Sequence, residues 1–183
     1  MSTPLTAALL TQAMSSPSWP GPDVNPTDAE SYLPHLIMAC NNWEINTRKR
    51  LSAFLAQTGM ESGSFQWWRE FGLGEGKEYP PFYGRGPIQL TWEENYQNFE
   101  DTTGNLAHED PEIVADDAAV GFDAAAWFWD SRDLNSLADV ATWQSFYEIT
   151  GRVWGQSGPF YERDARYARA WNVLPTDLDL AAP

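Results

Sequence analysis

The 183-residue chain carries 26 acidic against 11 basic residues, a formal charge of −15. That balance excludes nucleic-acid binding, which needs Lys and Arg to neutralise phosphates, and attraction to an anionic membrane surface. The length suits one domain over 1–183, with a core over about 9–174 and a flexible tail over 175–183, large enough to bury its apolar residues without staples.

Taken in order, Thr3 to Met14 reads as a first helix with neither a basic leader nor a long apolar run, so it encodes no export signal, and no later stretch encodes a membrane span. The segment Ser15 to Asn25, with Pro17, Pro20 and Pro22, reads as a loop. Thr27 and Glu30 form a capping box that opens a helix, which Pro34 should interrupt or restart. Leu36, Ile37, Cys40 and Trp43 face inward, and Cys40, the single cysteine, reads as a small buried hydrophobe. Thr47 is an N-cap for the next helix, whose residues Leu51, Phe54, Leu55 and Thr58 recur with one buried face. Gly59 and Gly63 bracket its end, which puts Glu61 at a helix C-terminus, where the macrodipole disfavours a second negative charge.

Glu70 follows nine positions later, after Trp67 and Trp68. Two carboxyl groups in unequal surroundings are what glycoside hydrolysis requires, although a pair of glutamates also fits an ordinary solvated surface. The stretch from Gly72 to Pro81 is too rich in Gly and Pro for regular structure. Gly72, Gly74 and Gly76 do not make a phosphate loop, because no strand precedes them and no Gly-Lys-Ser/Thr follows. Glu75 and Glu78 compete with Glu70 for the second carboxylate, but the neighbouring indoles should fix the Glu70 backbone, whereas the glycines leave the other two loose. In YGRGPIQLTWEENY, Tyr83 to Leu90 reads as a small hairpin, and Thr91 with Glu94 as a capping box. Gly104 marks a stop and Asp110-Pro111 a new start. Helical periods follow over Val120, Ala124, Trp127 and Phe128, then from Thr142 through Phe146 and Ile149, then from Pro159 through Tyr167 and Trp171. His35 and His108 stand apart, so no metal-ligand spacing exists.

The pieces FLAQTGMESGSF and YGRGPIQLTWEENY resemble the family 19 chitinases and the related lysozyme-like endolysins of bacteriophages. The resemblance implies a mainly α, lysozyme-like two-lobed fold with a small β-hairpin and a central substrate cleft. It implies Glu61 as general acid and Glu70 as general base, although MESGS replaces the family's HE[ST]GG-like motif at Met60 and Ser64. Gln89, Thr91 and Asn95 match polar cleft positions that hold the attacking water and the acetamido group. ERDARYARAW makes Arg163 the arginine facing the carboxylates, and Trp154 stands where the family usually has Asn. Trp67, Trp68, Tyr83, Arg85 and Tyr96 complete the candidate substrate-binding set, since flat aromatic faces stack on pyranose rings.

The function expected from this resemblance is inverting hydrolysis of β-1,4 bonds between N-acetylated aminosugars. It needs no cofactor or metal, and the inverting pair should stand about 6.5 to 9.5 Å apart. The favoured partner is bacterial cell-wall peptidoglycan, cut by a monomeric endolysin made in a host cytoplasm without a signal peptide, together with other lysin modules and without membrane insertion. Chitinase is the alternative. A non-catalytic glycan-binding module and a lytic transglycosylase are further rivals.

Overall fold

The computed structural model describes residues 2–15 and 23–180. Among them, β1 (Thr3–Pro4) and α1 (Ala7–Met14) are followed by α2 (Pro26–Asn42) and α3 (Arg48–Glu61). A short 3-10 turn, Phe71–Gly74, lies within the long connection to α4 (Glu93–Thr103). Then come α5 (Ile113–Asp116), α6 (Ala118–Asp130), α7 (Leu134–Val140), α8 (Trp143–Trp154), α9 (Tyr161–Val173) and β2 (Leu178–Asp179). The fold is mainly helical and lysozyme-like.

At its centre α3 is buried from Leu51 to Gly59 on every side, not on one face as its apolar spacing predicts. The reason is that α9 packs along it while α1, α7 and α8 cover its remaining sides. Total enclosure means that Gln57 and Thr58 must find partners inside. Thr58 donates to the Phe54 carbonyl at 2.9 Å, and Gln57 reaches Thr150 on α8 at 2.8 Å. A second layer forms where α2 packs on α6, burying Leu36, Ile37 and Cys40 against the Ala124 to Trp129 stretch.

Several local expectations change. The cap of α2 is Asn25, whose side chain accepts from the Thr27 amide at 3.0 Å with Pro26 in the first turn, so Thr27 is already helical. Pro34 lies inside an uninterrupted α2, since burial against α6 outweighs the roughly 3 kcal/mol that an interior proline costs. Residues 16–22 of the proline loop lie outside the described residues. The small hairpin reduces to a single antiparallel bridge between Arg85 and Leu90, with a second between Arg69 and Arg85. Thr91 does not cap α4: its hydroxyl donates to the Gln89 carbonyl at 2.9 Å, and Trp92 takes the capping position at φ 78° without a side-chain bond. The helix after Pro111 begins only at Ile113, and the last one only at Tyr161. Of the tail expected over 175–183, the part up to Leu180 is anchored, because β2 pairs in parallel with β1 and Leu180, 3% exposed, accepts from Asn41 at 2.8 Å, while residues 181–183 lie outside the described residues. Thr47 and Thr142 do cap α3 and α8, the latter with Ser145 as a reciprocal box.

Moving the cap from Thr27 to Asn25 is testable by urea unfolding. Asn25→Ala is expected to cost about 1 kcal/mol and Thr27→Ala much less, because only Asn25 satisfies an orphan amide; the reverse order would reject the assignment.

Candidate active site

Glu61 occupies the last turn of α3, with Ser62 as its C-cap. One of its oxygens, Oε1, accepts from the guanidinium of Arg163 on α9. The same guanidinium donates to Oε1 of Gln57, one turn back along α3, and Gln57 in turn donates to Thr150 on α8. Arg163 is 4% exposed, so its charge is withdrawn from water and fixed on these acceptors. Three helices therefore converge on one carboxylate.

Glu70 is held by a different set. The Tyr79 hydroxyl donates to its Oε1 at 2.6 Å and the Gly84 amide to its Oε2 at 3.1 Å. The Glu70 amide returns a bond to the Gly84 carbonyl at 2.8 Å, which locks the backbone. Glycine at 84 lets Gln89 and Glu70 come close, since a Cβ there would lie 2.9 Å from Gln89 Oε1 and 3.4 Å from the Glu70 Cβ and would push the Gln89 amide aside. The Tyr79 hydroxyl is pushed up to about 12 by its bond to Glu70, so it remains a proton donor at neutral pH. Glu75 and Glu78 are exposed and do not line the cleft, which leaves Glu70 as the second carboxylate beside Glu61.

Behind this loop lies a cluster that the sequence reading missed. Glu112 accepts from Arg69 at 2.9 Å, from the Tyr83 hydroxyl at 2.6 Å and from Arg85. Arg85 is 1% exposed, stacks over the Tyr83 ring at 3.5 Å and donates to the Tyr96 hydroxyl at 3.1 Å. Chiefly because of Arg85, the Glu112 carboxyl is held down at about 2. Arg69 and Arg85 flank the Glu70 segment through their mutual bridge, so Glu112 anchors the strip that carries Glu70.

Glu61 and Glu70 line one cleft of about 570 Å³. Gln89, Thr91, Asn95 and Trp154, all expected there, line it too. Asn95 is oriented at both ends, donating to the Thr91 carbonyl at 2.7 Å and accepting from Arg132 at 3.1 Å. Gln89 sits in the left-handed region at φ 55°, a strain typical of functional positions. Five expected cleft residues are placed elsewhere. Tyr83, Arg85 and Tyr96 are buried in the Glu112 cluster. Trp68 packs on Tyr32 and Phe122, close to Gly121 of α6, and Trp67 packs on Gly63 and Phe71. The aromatic faces of the cleft come instead from Tyr79 and Trp92, 5.1 Å apart at the centroids, together with Phe128 and Trp154. Arg132, stacked on Phe128 at 3.5 Å, and Arg152 supply cationic groups that no sequence motif marked.

A helical fold whose cleft holds two carboxylates with unlike partners, among aromatic and amide groups, is the arrangement of an acid–base glycosidase. Residues 36–145 match the family of the chitinase class I, glycoside hydrolase family 19, and the chain belongs to that family. Chitinase 8 of Oryza sativa subsp. japonica is 42% identical over 91 residues, covering 45% of this chain and 35% of that one. The acidic 27 kDa endochitinase of Solanum lycopersicum is 39% identical over 107 residues, covering 53% and 43%. The match thus spans less than half the length of these relatives. Among solved structures, a bacterial family 19 chitinase superposes with a TM-score of 0.70 at 21% identity, over 97% of this chain and 98% of that one. Chitinase C from Streptomyces griseus does so at 0.69 and 20%, over 92% and 91%. These two establish the fold.

The Glu112 cluster predicts a particular acid sensitivity. A carboxylate lowered from 4.5 to about 2 adds stability that is complete above its unfolded value and is lost as pH falls from there through about 2. Glu112→Gln should therefore lower the melting temperature at pH 7, and the gap from wild type should close between pH 5 and pH 2. A gap that stays constant over that range would show that Glu112 is not the anchor.

Proposed function

We propose that the protein is an inverting glycoside hydrolase that cleaves β-1,4 bonds between N-acetylated aminosugars, with N-acetylglucosamine polymers of the chitin type as substrate. The observation that carries this reading is the placing of Glu61 and Glu70 in one cleft, each carboxyl held in position by fixed donors, Arg163 for the first and Tyr79 with the Gly84 amide for the second.

In this mechanism Glu61 is the acid. Arg163 fixes Oε1, which leaves Oε2 without a protein hydrogen bond among the described residues and able to carry the proton to the glycosidic oxygen. As that proton leaves, the fixed guanidinium stabilises the carboxylate that forms, an interaction stronger in the transition state than before it. Glu70 is the base. Each of its oxygens keeps a lone pair beyond the Tyr79 and Gly84 bonds, so it can take a proton from water as that water attacks the anomeric carbon from the opposite face. The C–O bond to the leaving sugar breaks as the bond to water forms, and no covalent enzyme intermediate arises. Thr91, whose hydroxyl hydrogen points to the Gln89 carbonyl, presents its oxygen as an acceptor for the water, and Asn95 is pre-oriented for the acetamido group.

Chitin is supported by the names of the relatives and by a charge of −15, which an uncharged polymer does not oppose. Bacterial peptidoglycan, cut by an endolysin, is the second reading, and one observation favours it. Beside Glu61 and Trp154 lies a recess of about 350 Å³ lined by Met60, Phe160 and Tyr161, with room for the lactyl-peptide substituent that separates wall glycan from chitin.

Reducing-end release from chitin oligosaccharides and from purified peptidoglycan, measured side by side, tests both. Release from chitin supports the first reading and release from peptidoglycan alone the second. Anhydromuramyl ends would indicate a transglycosylase, and binding without turnover a glycan-binding module. Glu61→Gln should fold normally and lose about 100-fold or more in kcat. Glu70→Ala should also abolish turnover, while Glu75→Ala and Glu78→Ala retain most of it. Retention of more than about a tenth of wild-type turnover in Glu61→Gln would reject its role.

A further inference from the structure

Helices α8 and α9 frame a second groove of about 510 Å³ that shares no lining residue with the cleft. Trp143 and Trp171 form its walls with Tyr167 between them, Ala141 and Ala168 leave space, and Asn172 stands at the rim. The rings are held as a unit: Trp143 meets Tyr167 at 5.5 Å and 83°, Tyr167 meets Trp171 at 6.0 Å, and Tyr167 is stacked on buried Phe146 at 4.2 Å. Arg48 lies 4.6 Å over Trp171 and bonds its carbonyl, which fixes that indole too. Trp143 is nevertheless 48% exposed. The Asn172 amide is exposed and makes no hydrogen bond among the described residues.

We propose that this groove is a second glycan-binding site, which takes an uncharged β-1,4 aminosugar chain and holds the enzyme on an insoluble polymer while the cleft cuts. The ligand class rests on the glycan reading given above. The lining supports that class in three ways. No residue that lines the groove is ionised at neutral pH, and the Arg48 guanidinium beside it is already engaged with the Trp171 ring and carbonyl, which favours an uncharged ligand. Rigid indole and phenol faces stack on the C–H faces of pyranoses at low entropic cost, and a free amide at the rim matches the hydroxyl and acetamido edges. The volume lies within the roughly 300 to 1,000 Å³ usual for ligand sites. The groove is also tied to the cleft by the same helix. Trp143 begins α8 and Trp154, in the cleft, ends it, about 16 Å apart along an axis rising 1.5 Å per residue. Eleven residues at 3.6 per turn make about three full turns, so the two indoles leave the same side of the helix and one polymer surface can meet both.

The test uses Trp143→Ala, Trp171→Ala and the double variant, with the milder Asn172→Ala in case loss of Trp171 impairs folding. The double variant should lose at least fivefold in retention on insoluble chitin and in turnover of it, while turnover of soluble chitotetraose stays at the wild-type level. Separately, titration of the wild type with N,N′-diacetylchitobiose should shift the indole N–H signals of Trp143 and Trp171 in ¹⁵N spectra. That readout needs no turnover, so it decides this site even if hydrolysis fails on every glycan. Unchanged retention in the double variant, or indole signals that do not move, would overturn the proposal. Concentration-dependent dimerisation abolished by Trp143→Ala would assign the groove to a second copy of the chain instead.

Discussion

A guanidinium taken out of water must be given fixed acceptors, or its burial costs several kcal/mol. Arg163 is given two, Gln57 and Glu61, on successive turns of α3, and the helix that supplies it, α9, packs along α3 more extensively than any other element. The pairing ties the long axis of the fold to the position of one carboxylate oxygen. It also explains why polar Gln57 sits inside a helix buried on all sides, since its amide accepts from Arg163 and donates to Thr150. Stability and chemistry share the same atoms here.

The second carboxylate is held by an analogous device built from loops. Glu70 belongs to a strip with almost no regular structure, and such a strip would ordinarily move too much for chemistry. The Glu112 carboxylate gathers Arg69, Tyr83 and Arg85 beneath it, and the Arg85 bridges to Arg69 and Leu90 carry that order to Glu70 and Thr91. Each candidate catalytic carboxylate is thus positioned by a buried arginine, one directly and one at a remove. The two supports share no residue, so a change in one need not disturb the other.

The parts of this architecture legible in the sequence were those set by neighbours along the chain. Thr47 and the glycines around Glu61 fixed where α3 begins and ends, because capping and helix breaking are local effects. Of the cleft aromatics only Trp154 was legible. Trp67, Trp68 and Tyr83 are the same residue types as Tyr79 and Trp92, and in an irregular strip no periodicity says which side chain turns inward. The Arg163 to Gln57 contact spans 106 positions and the β1–β2 pairing joins the two ends of the chain, so neither leaves a local trace. Thr91 shows the opposite failure: its capping-box spacing is real, but the hydroxyl is drawn back to the Gln89 carbonyl by the strained turn before it.

In the proposed mechanism two carboxylates act through one water molecule with no covalent intermediate. This is tested most directly by proton NMR of the first sugar product released from a β-linked N-acetylglucosamine oligomer, recorded before mutarotation. The α-anomer is the expected product, the result of a single displacement. A β-anomer as first product would mean retention of configuration, and would contradict the assignment of Glu70 as the base that activates water.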